Sequence, residues 1–284
     1  MIRTVRQLIQ AAAVTEGAGV TVHRTLGTPA LRRLDPFLML DHFSSDDPDD
    51  YIAGFPDHPH RGFITFTYMI DGHMQHQDSM GNKGDLRSGG AQWMKAASGV
   101  IHSEMPQQSD GLMRGFQLWI NLPAKEKMTD PIYQEFSPEA IPEIHEGGVR
   151  VRLLAGEYGS KRGVIDDPRT DVQYLDVALD PGAIFARDLA NSYNAFVYVY
   201  EGSATTGAAP LPQHSLAVLG EGDQVEIVAG EAGARFILVA GKPIGEPVVQ
   251  YGPFVMNTQA EIEQAFRDYQ AGQLVRKKAQ MTGG

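Results

Sequence analysis

The sequence predicts an all-β protein made of two halves with a similar strand rhythm, followed by one short C-terminal helix. Three observations carry that expectation. Short alternating apolar runs recur between turn signals, and 31 glycines and 17 prolines interrupt any long helical periodicity. The segment FVYVYEG (196–202) can be laid over FTYMIDG (66–72), about 130 residues earlier, which points to a duplicated β-domain. Near the end, Thr258 and Glu261 form a capping-box pair, and Ile262, Ala265, Phe266 and Tyr269 share one helical face, stopped by Gly272.

The elements follow in order. RGFITFTYMIDGHMQHQDS is β-rich on both sides of Asp71-Gly72, which reads as a two-residue hairpin turn. MGNKG (80–84) and SGG (88–90) are further turns, AQWMKAA is a strand, and GFQLWINLP (115–123) is a strand ended by Pro123. Residues 123–148 are rich in charge and proline and read as the crossing between halves, which places the domains at 1–130 and 131–284. VRLLAGEYG, VQYLDVALDPGA, AFVYVYEGSAT, HSLAVLGEGDQVEIVAG and ARFILVAGKP are the strands of the second half, and the basic end VRKKAQMTGG is expected to fray.

Composition removes several function classes. The net charge of −11 disfavours a broad nucleic-acid-binding face or an anionic membrane surface. There is no cysteine, which excludes disulfides, thiolate metal sites and a cysteine nucleophile. No stretch approaches the ~20 apolar residues of a membrane span, and the first residues lack a signal-peptide core, so a cytoplasmic protein is expected.

The chemistry concentrates in two short stretches. In FPDHPHRGF (55–63), His58 and His60 are two residues apart, so on a strand they project to one face with Pro59 turned away. Carried onward, that parity puts Ile64, Phe66 and Tyr68 on the same inward face. GVIHSEMP (99–106) repeats the device with His102 and Glu104. Three imidazoles and a carboxylate on two strands can surround a divalent cation and leave positions open. Phe43, Phe55, Gln117 and Trp119 are candidates for a pocket that takes an aromatic ligand, with barrel core as the alternative for the aromatics. Arg61 reads as either a steering group for an anionic substrate or a solvated rim residue. His73 and His76 differ in parity from each other and are assigned to surface or supporting positions. His42 is a further residue placed near the pocket.

Gly54, His58 and His60, followed by Gly90, Ala97, Gly99 and His102, resemble the two metal motifs of the cupin superfamily. LDPFLMLDHF, FPDHPHRGF, QWMKAASGVIHSEMP, FQLWINLP and YGPFVMNT resemble the pirin family along nearly the whole chain. The resemblance implies a bicupin of two antiparallel jelly-roll barrels, with His58, His60, His102 and Glu104 as ligands in the N-terminal one. The metal it implies is Fe(II), and other divalent transition metals suit the same donors. It also implies quercetin 2,3-dioxygenase activity on a flavonol and O2, with Glu104 both ligating and accepting the substrate proton. The alternative it carries is an iron-dependent redox sensor that binds a transcriptional or metabolic protein partner, without direct DNA contact. A monomer is the simplest expectation. Two departures stand out: Ile64 replaces an acid common at that place, and Ala97 replaces a common proline, read as a change of turn stiffness. Shifted by 130 residues, the first motif lands on Asp188 and Ala190, so the second half is expected to hold no metal.

Overall fold

The computed structural model describes residues 1–276, so the remainder of the basic end lies outside the described residues. The chain forms two compact units, each assembled from separate stretches. One comprises Ala13–Gly27, Phe37–Pro138 and the chain from Ile244 onward; the other comprises Met1–Ala12, Thr28–Pro36 and Glu139–Pro243.

The first unit contains two large antiparallel sheets and a short two-stranded one, Val249–Tyr251 with Phe254–Met256. The seven-stranded sheet runs Ile132–Phe136, Ala91–Lys95, Phe63–Asp71, Met113–Asn121, Phe37–Ser45, Val20–Leu26 and Ala12–Glu16. The four-stranded sheet runs Phe55–His60, Val100–Pro106, His73–Asp78 and Lys83–Arg87. Neither closes on itself; both have edges. The strand Phe63–Asp71 is buried on both faces to Ile70, so its β-branched and aromatic run replaces the half-polar alternation of a surface strand. The outermost strand Ile132–Phe136 comes from the stretch expected to be a bare crossing, and it pairs with Ala91–Lys95.

The second unit holds a nine-stranded sheet. Its spine is Val5–Gln10, Ser215–Leu219, Asn194–Thr206, Gln224–Gly241, Gln173–Leu179, Val149–Ala155 and Glu143–Glu146. Ile184–Asp188 and Ala209–Leu211 branch from it. Its core is aliphatic and aromatic, with Leu153, Leu175, Val197, Phe185, Phe236 and Leu238 fully buried.

Three local expectations are corrected. Asp71-Gly72 is not a hairpin turn, because the strands on its two sides pair with other partners in different sheets. Gly72, at φ 102°, turns the chain from one sheet to the other. The hairpin lies one turn later, where His73–Asp78 pairs with Lys83–Arg87 through a turn containing Gly81. The second correction concerns parity. The strand breaks at Arg61-Gly62, with Gly62 at φ 91°, so alternation does not carry through. Phe63 and Thr67 face the site, where Thr67 reaches Glu104, and Ile64 belongs to the opposite face. The third concerns Ala97, which sits at φ 42°. Proline cannot adopt that conformation, so the turn differs in kind from one built on proline, not merely in stiffness.

Arg61 is neither a steering group nor a rim residue: it is 1% exposed. Its guanidinium donates to the Ser98 carbonyl at 2.7 Å, to Asp268 Oδ2 at 2.7 Å and to the Leu274 carbonyl. Asp268 belongs to the helix Gln259–Gln270, whose Thr258–Glu261 capping box forms as expected. Ile262 and Ala265 of that helix bury against Phe254 and Met256, with Ile101 packed on the same cluster. Lys127 closes the same corner from another direction. Its Nζ donates to the carbonyls of Gly62 and Val255 and to Asn121 Oδ1 at 2.6–3.0 Å. The turn after His60 is therefore held by two buried basic side chains.

Burial alone would push the Asp268 carboxyl up, but hydrogen bonds from Arg61 and Gln264 and the charge of Arg61 hold it below its ordinary value. A depressed carboxylate contributes stability that is present above the unfolded pKa, near ~3.9, and lost as pH falls through the lower folded value. Asp268→Asn is expected to lower stability at pH 7 by about 3 kcal/mol, since it leaves Arg61 buried without its counter-charge. The variant's melting temperature should also fall less steeply than wild type below about pH 4, as thermal unfolding at several pH values will show.

Candidate metal centre

Two neighbouring strands supply the imidazoles. Phe55–His60 pairs with Val100–Pro106 so that His102 lies opposite His58 and Val100 opposite His60. The strands approach closely because Gly54 carries no Cβ: one placed there would lie 2.8 Å from Met105 Sδ and from Pro106 Cδ. The ring centroids of His58 and His60 are 4.7 Å apart, those of His58 and His102 4.4 Å, and those of His60 and His102 4.9 Å. One ligating atom from each ring lies within 4.8 Å of the other two.

The hydrogen-bond roles at this cluster are unusual for a buried polar group. His58 Nδ1 lies 2.8 Å from the Pro56 carbonyl; a carbonyl only accepts, so this nitrogen donates and Nε2 keeps its lone pair. Both ring nitrogens of His60 and Nε2 of His102 are buried with no hydrogen-bond partner of normal geometry. Burial lowers both imidazoles well below their ordinary pKa. The His58 ring adds to the shift at His60, where the Pro253 backbone opposes it, and the rings of His60, His58 and His76 add to it at His102. Neutral rings with unpartnered nitrogens gathered this closely are costly by themselves and match the donor set of a divalent transition metal. The residues fit such an ion.

Glu104, the fourth expected ligand, is buried on the same strand but outside the three-imidazole group. Its Oε1 accepts from Thr67 Oγ1 at 3.1 Å and its Oε2 from Gln117 Nε2 at 2.8 Å. Trp119 Nε1 donates to Gln117 Oε1 at 3.1 Å. Indole only donates, so this bond orients the amide toward Glu104. Behind His102, His76 is also buried: its Nδ1 lies 3.3 Å from His102 Nδ1 and 3.0 Å from Gln92 Nε2, and its Nε2 lies 3.2 Å from Asp78 Oδ2.

A cavity of about 610 Å³ opens over His58 and His60, within the range of small-molecule sites. Met39, Phe55 and Trp119 give it apolar wall, and Gln117 also lines it. Its polar side is Arg24, paired with Asp41 through two 2.7 Å hydrogen bonds and with Glu16 at 2.7 Å. Of the four pocket residues expected from sequence, Phe55, Gln117 and Trp119 lie on this cavity. Phe43 does not: it packs with Val20, Val22, Met69 and Met113 and lines a small cavity of about 10 Å³ together with Phe55, Thr67, Glu104 and Gln117. His42 is buried and stacked on Phe116. The other unit contains a larger cavity, about 710 Å³, lined by acidic side chains with Arg162 and Arg187 and by no imidazole.

Comparison with known proteins agrees with this geometry. Residues 19–120 match the family model for pirin, and residues 174–275 match the model for the pirin C-terminal cupin domain. The chain belongs to the pirin family. It is 49% identical over 280 residues to a Pseudomonas aeruginosa protein provisionally named a quercetin 2,3-dioxygenase, covering 96% of this chain and 98% of that one. It is 44% identical to human pirin, covering 90% and 88% respectively. A crystal structure of quercetin 2,3-dioxygenase from Acinetobacter baumannii superposes with a TM-score of 0.89 at 32% identity, covering 96% of this chain and 99% of that one. The pirin fold is thus a bicupin, as the motifs implied.

Sequence reasoning missed Arg24, Asp41, Thr67, Gln92 and Asp78 as members of the site, and left His76 without a partner. Arg24 and Asp41 become partners only through the pairing of Val20–Leu26 with Phe37–Ser45. No spacing rule in the sequence signals that contact.

A divalent metal that binds the folded protein at one hundred times its dissociation constant should stabilise it by about 2.7 kcal/mol. The melting temperature is expected to rise with added Co(II) or Fe(II) and to return with a chelator. His102→Ala should show no rise.

Proposed function

We infer that this protein is a non-haem iron dioxygenase that opens flavonols of the quercetin type with O2 and releases carbon monoxide. The observation that carries this reading is the set of partnerless imidazole nitrogens at the base of an aromatic-walled cavity. The names of its relatives support the same substrate class. Nitrogen donors with open positions suit Fe(II), and iron held there would supply Lewis acidity and electron exchange with O2.

The chain's own residues would do the rest. Met39, Phe55 and Trp119 bury the apolar faces of the flavonol, and Arg24, Asp41 and Glu16 offer donors and acceptors to its hydroxyls. Glu104 receives the proton of the 3-hydroxyl. Thr67 and Gln117 hold its carboxylate in one orientation before the substrate arrives, which limits the reorganisation needed during reaction. Each oxygen accepts one of these two bonds and keeps a second lone pair on which the proton is received.

The test begins with anaerobic Fe(II) loading and a metal count. Quercetin and air are then added while flavonol absorbance, O2 uptake and carbon monoxide are followed. Rapid bleaching with stoichiometric carbon monoxide is expected, and it should vanish in His58→Ala. Iron bound at one equivalent without turnover would overturn the dioxygenase reading. Glu104→Gln should weaken metal binding less than His102→Ala does, while lowering turnover by roughly 10²-fold or more, the scale of a lost general base. Full turnover in iron-loaded Glu104→Gln would remove that residue from the chemistry.

A further inference from the structure

We propose that Asp78 and His76 form a positioning relay that sets the tautomer of His102, so that His102 presents Nε2, and not Nδ1, to the metal. This inference rests on the reading of His58, His60 and His102 as a metal site.

The argument is an inventory of donors and acceptors. Asp78 Oδ1 accepts from the backbone N–H groups of Met80 and Asn82 at 2.9 and 3.0 Å, and Oδ2 accepts from Asn82 Nδ2 at 2.9 Å. The carboxylate therefore meets donors, and His76 Nε2, 3.2 Å from Oδ2, carries hydrogen. A neutral His76 then has its lone pair on Nδ1. Gln92 Nε2 donates to that lone pair at 3.0 Å. His102 Nδ1 faces the same lone pair at 3.3 Å, so it too carries hydrogen, and the lone pair of His102 lies on Nε2. That is the buried atom left without a partner.

The relay is built into rigid parts of the fold. His102 and Asp78 are register partners across neighbouring strands, and so are Glu104 and His76. Gln92 reaches in from the seven-stranded sheet. Tyr133 stacks on His76 at 4.5 Å and 20°, which fixes the plane of the ring. Ligating histidines commonly hold their second nitrogen against a carboxylate or carbonyl. Here a second imidazole stands between ligand and carboxylate.

Two variants separate the relay from general support. In Asp78→Asn, the side-chain oxygen is kept by the two backbone N–H groups, which places the amide nitrogen against His76 Nε2 and requires the Asn82 amide to turn so that its oxygen accepts. That reverses the relay: His76 would carry hydrogen on Nδ1, and His102 would carry it on Nε2, where the metal must bind. His76→Phe keeps a ring beside Tyr133 and removes the acceptor. His73→Ala, on the same strand but partly exposed and paired with Asp85, is the control.

The first measurement uses metal-free protein labelled with ¹⁵N at histidine. Long-range ¹H–¹⁵N correlation reads which ring nitrogen carries hydrogen. The expected result is Nδ1–H at His102 and Nε2–H at His76, with both reversed in Asp78→Asn. Nε2–H at His102 in the wild-type protein overturns the relay without any variant having to fold. The second measurement is Co(II) binding followed by its visible absorption. Affinity should fall 10–100-fold in Asp78→Asn and His76→Phe, with an altered spectrum, and should stay unchanged in His73→Ala. Unchanged affinity and spectrum in folded His76→Phe overturn the relay. Wild-type protein that binds no Co(II) would instead overturn the metal reading, while the tautomer measurement still decides the relay.

Discussion

The site depends on the place of one strand. Val100–Pro106 is paired on both sides, with Phe55–His60 on one and His73–Asp78 on the other. That double pairing sets His102 opposite His58 and opposite Asp78 at once. Because side chains alternate, a slip of one residue would turn His102 and Glu104 outward and bring Ile101 and Ser103 in. The register is held at several points. Gly54 admits the close approach of the outer strand, and the apolar cluster around the helix packs against Ile101 from the other face.

Around that strand, polar side chains cross between the two sheets of the unit. Thr67 and Gln117 reach Glu104, and Gln92 reaches His76, all from the seven-stranded sheet. Buried polar atoms are tolerated where they find partners, and these do. The contrast with His60 and with Nε2 of His102 is therefore informative. In a region where carboxylate, amide and indole are each bonded in a definite direction, the nitrogens left over belong to imidazoles whose candidate ligating atoms lie within 4.8 Å of one another. Unpaired nitrogens in such company are what make this cluster the candidate metal centre.

The turn that follows the first histidine pair is secured from a distance along the chain. Arg61 and Lys127 are buried basic side chains whose partners are mostly backbone carbonyls, supplemented by Asp268 and Asn121. Backbone acceptors make the arrangement insensitive to which side chains line the surface nearby. They also tie His60 to residues near the end of the chain, so the last helix supports the strand that carries His58 and His60 as well as covering apolar surface.

Much of this protein was legible in the linear sequence. Strand rhythm, the capping box at Thr258 and the paired spacing of His58 with His60 and of His102 with Glu104 all rest on local rules, period two for strands and hydrogen bonds over three residues for a cap. Those rules operate within a few residues, so they survive any tertiary arrangement. What they could not supply was which strand lies beside which. Asp71-Gly72 looks like a hairpin locally yet sends the chain into a second sheet, and Gly62 resets the alternation that would have turned Ile64 inward. The buried fate of Arg61, the meeting of Arg24 with Asp41, and the line from Asp78 through His76 to His102 join residues whose contact depends on pairing and burial. Sequence determined the residue types of the candidate site and their spacing; only the tertiary structure decided their partners, because long-range strand pairing leaves no periodic trace in the chain.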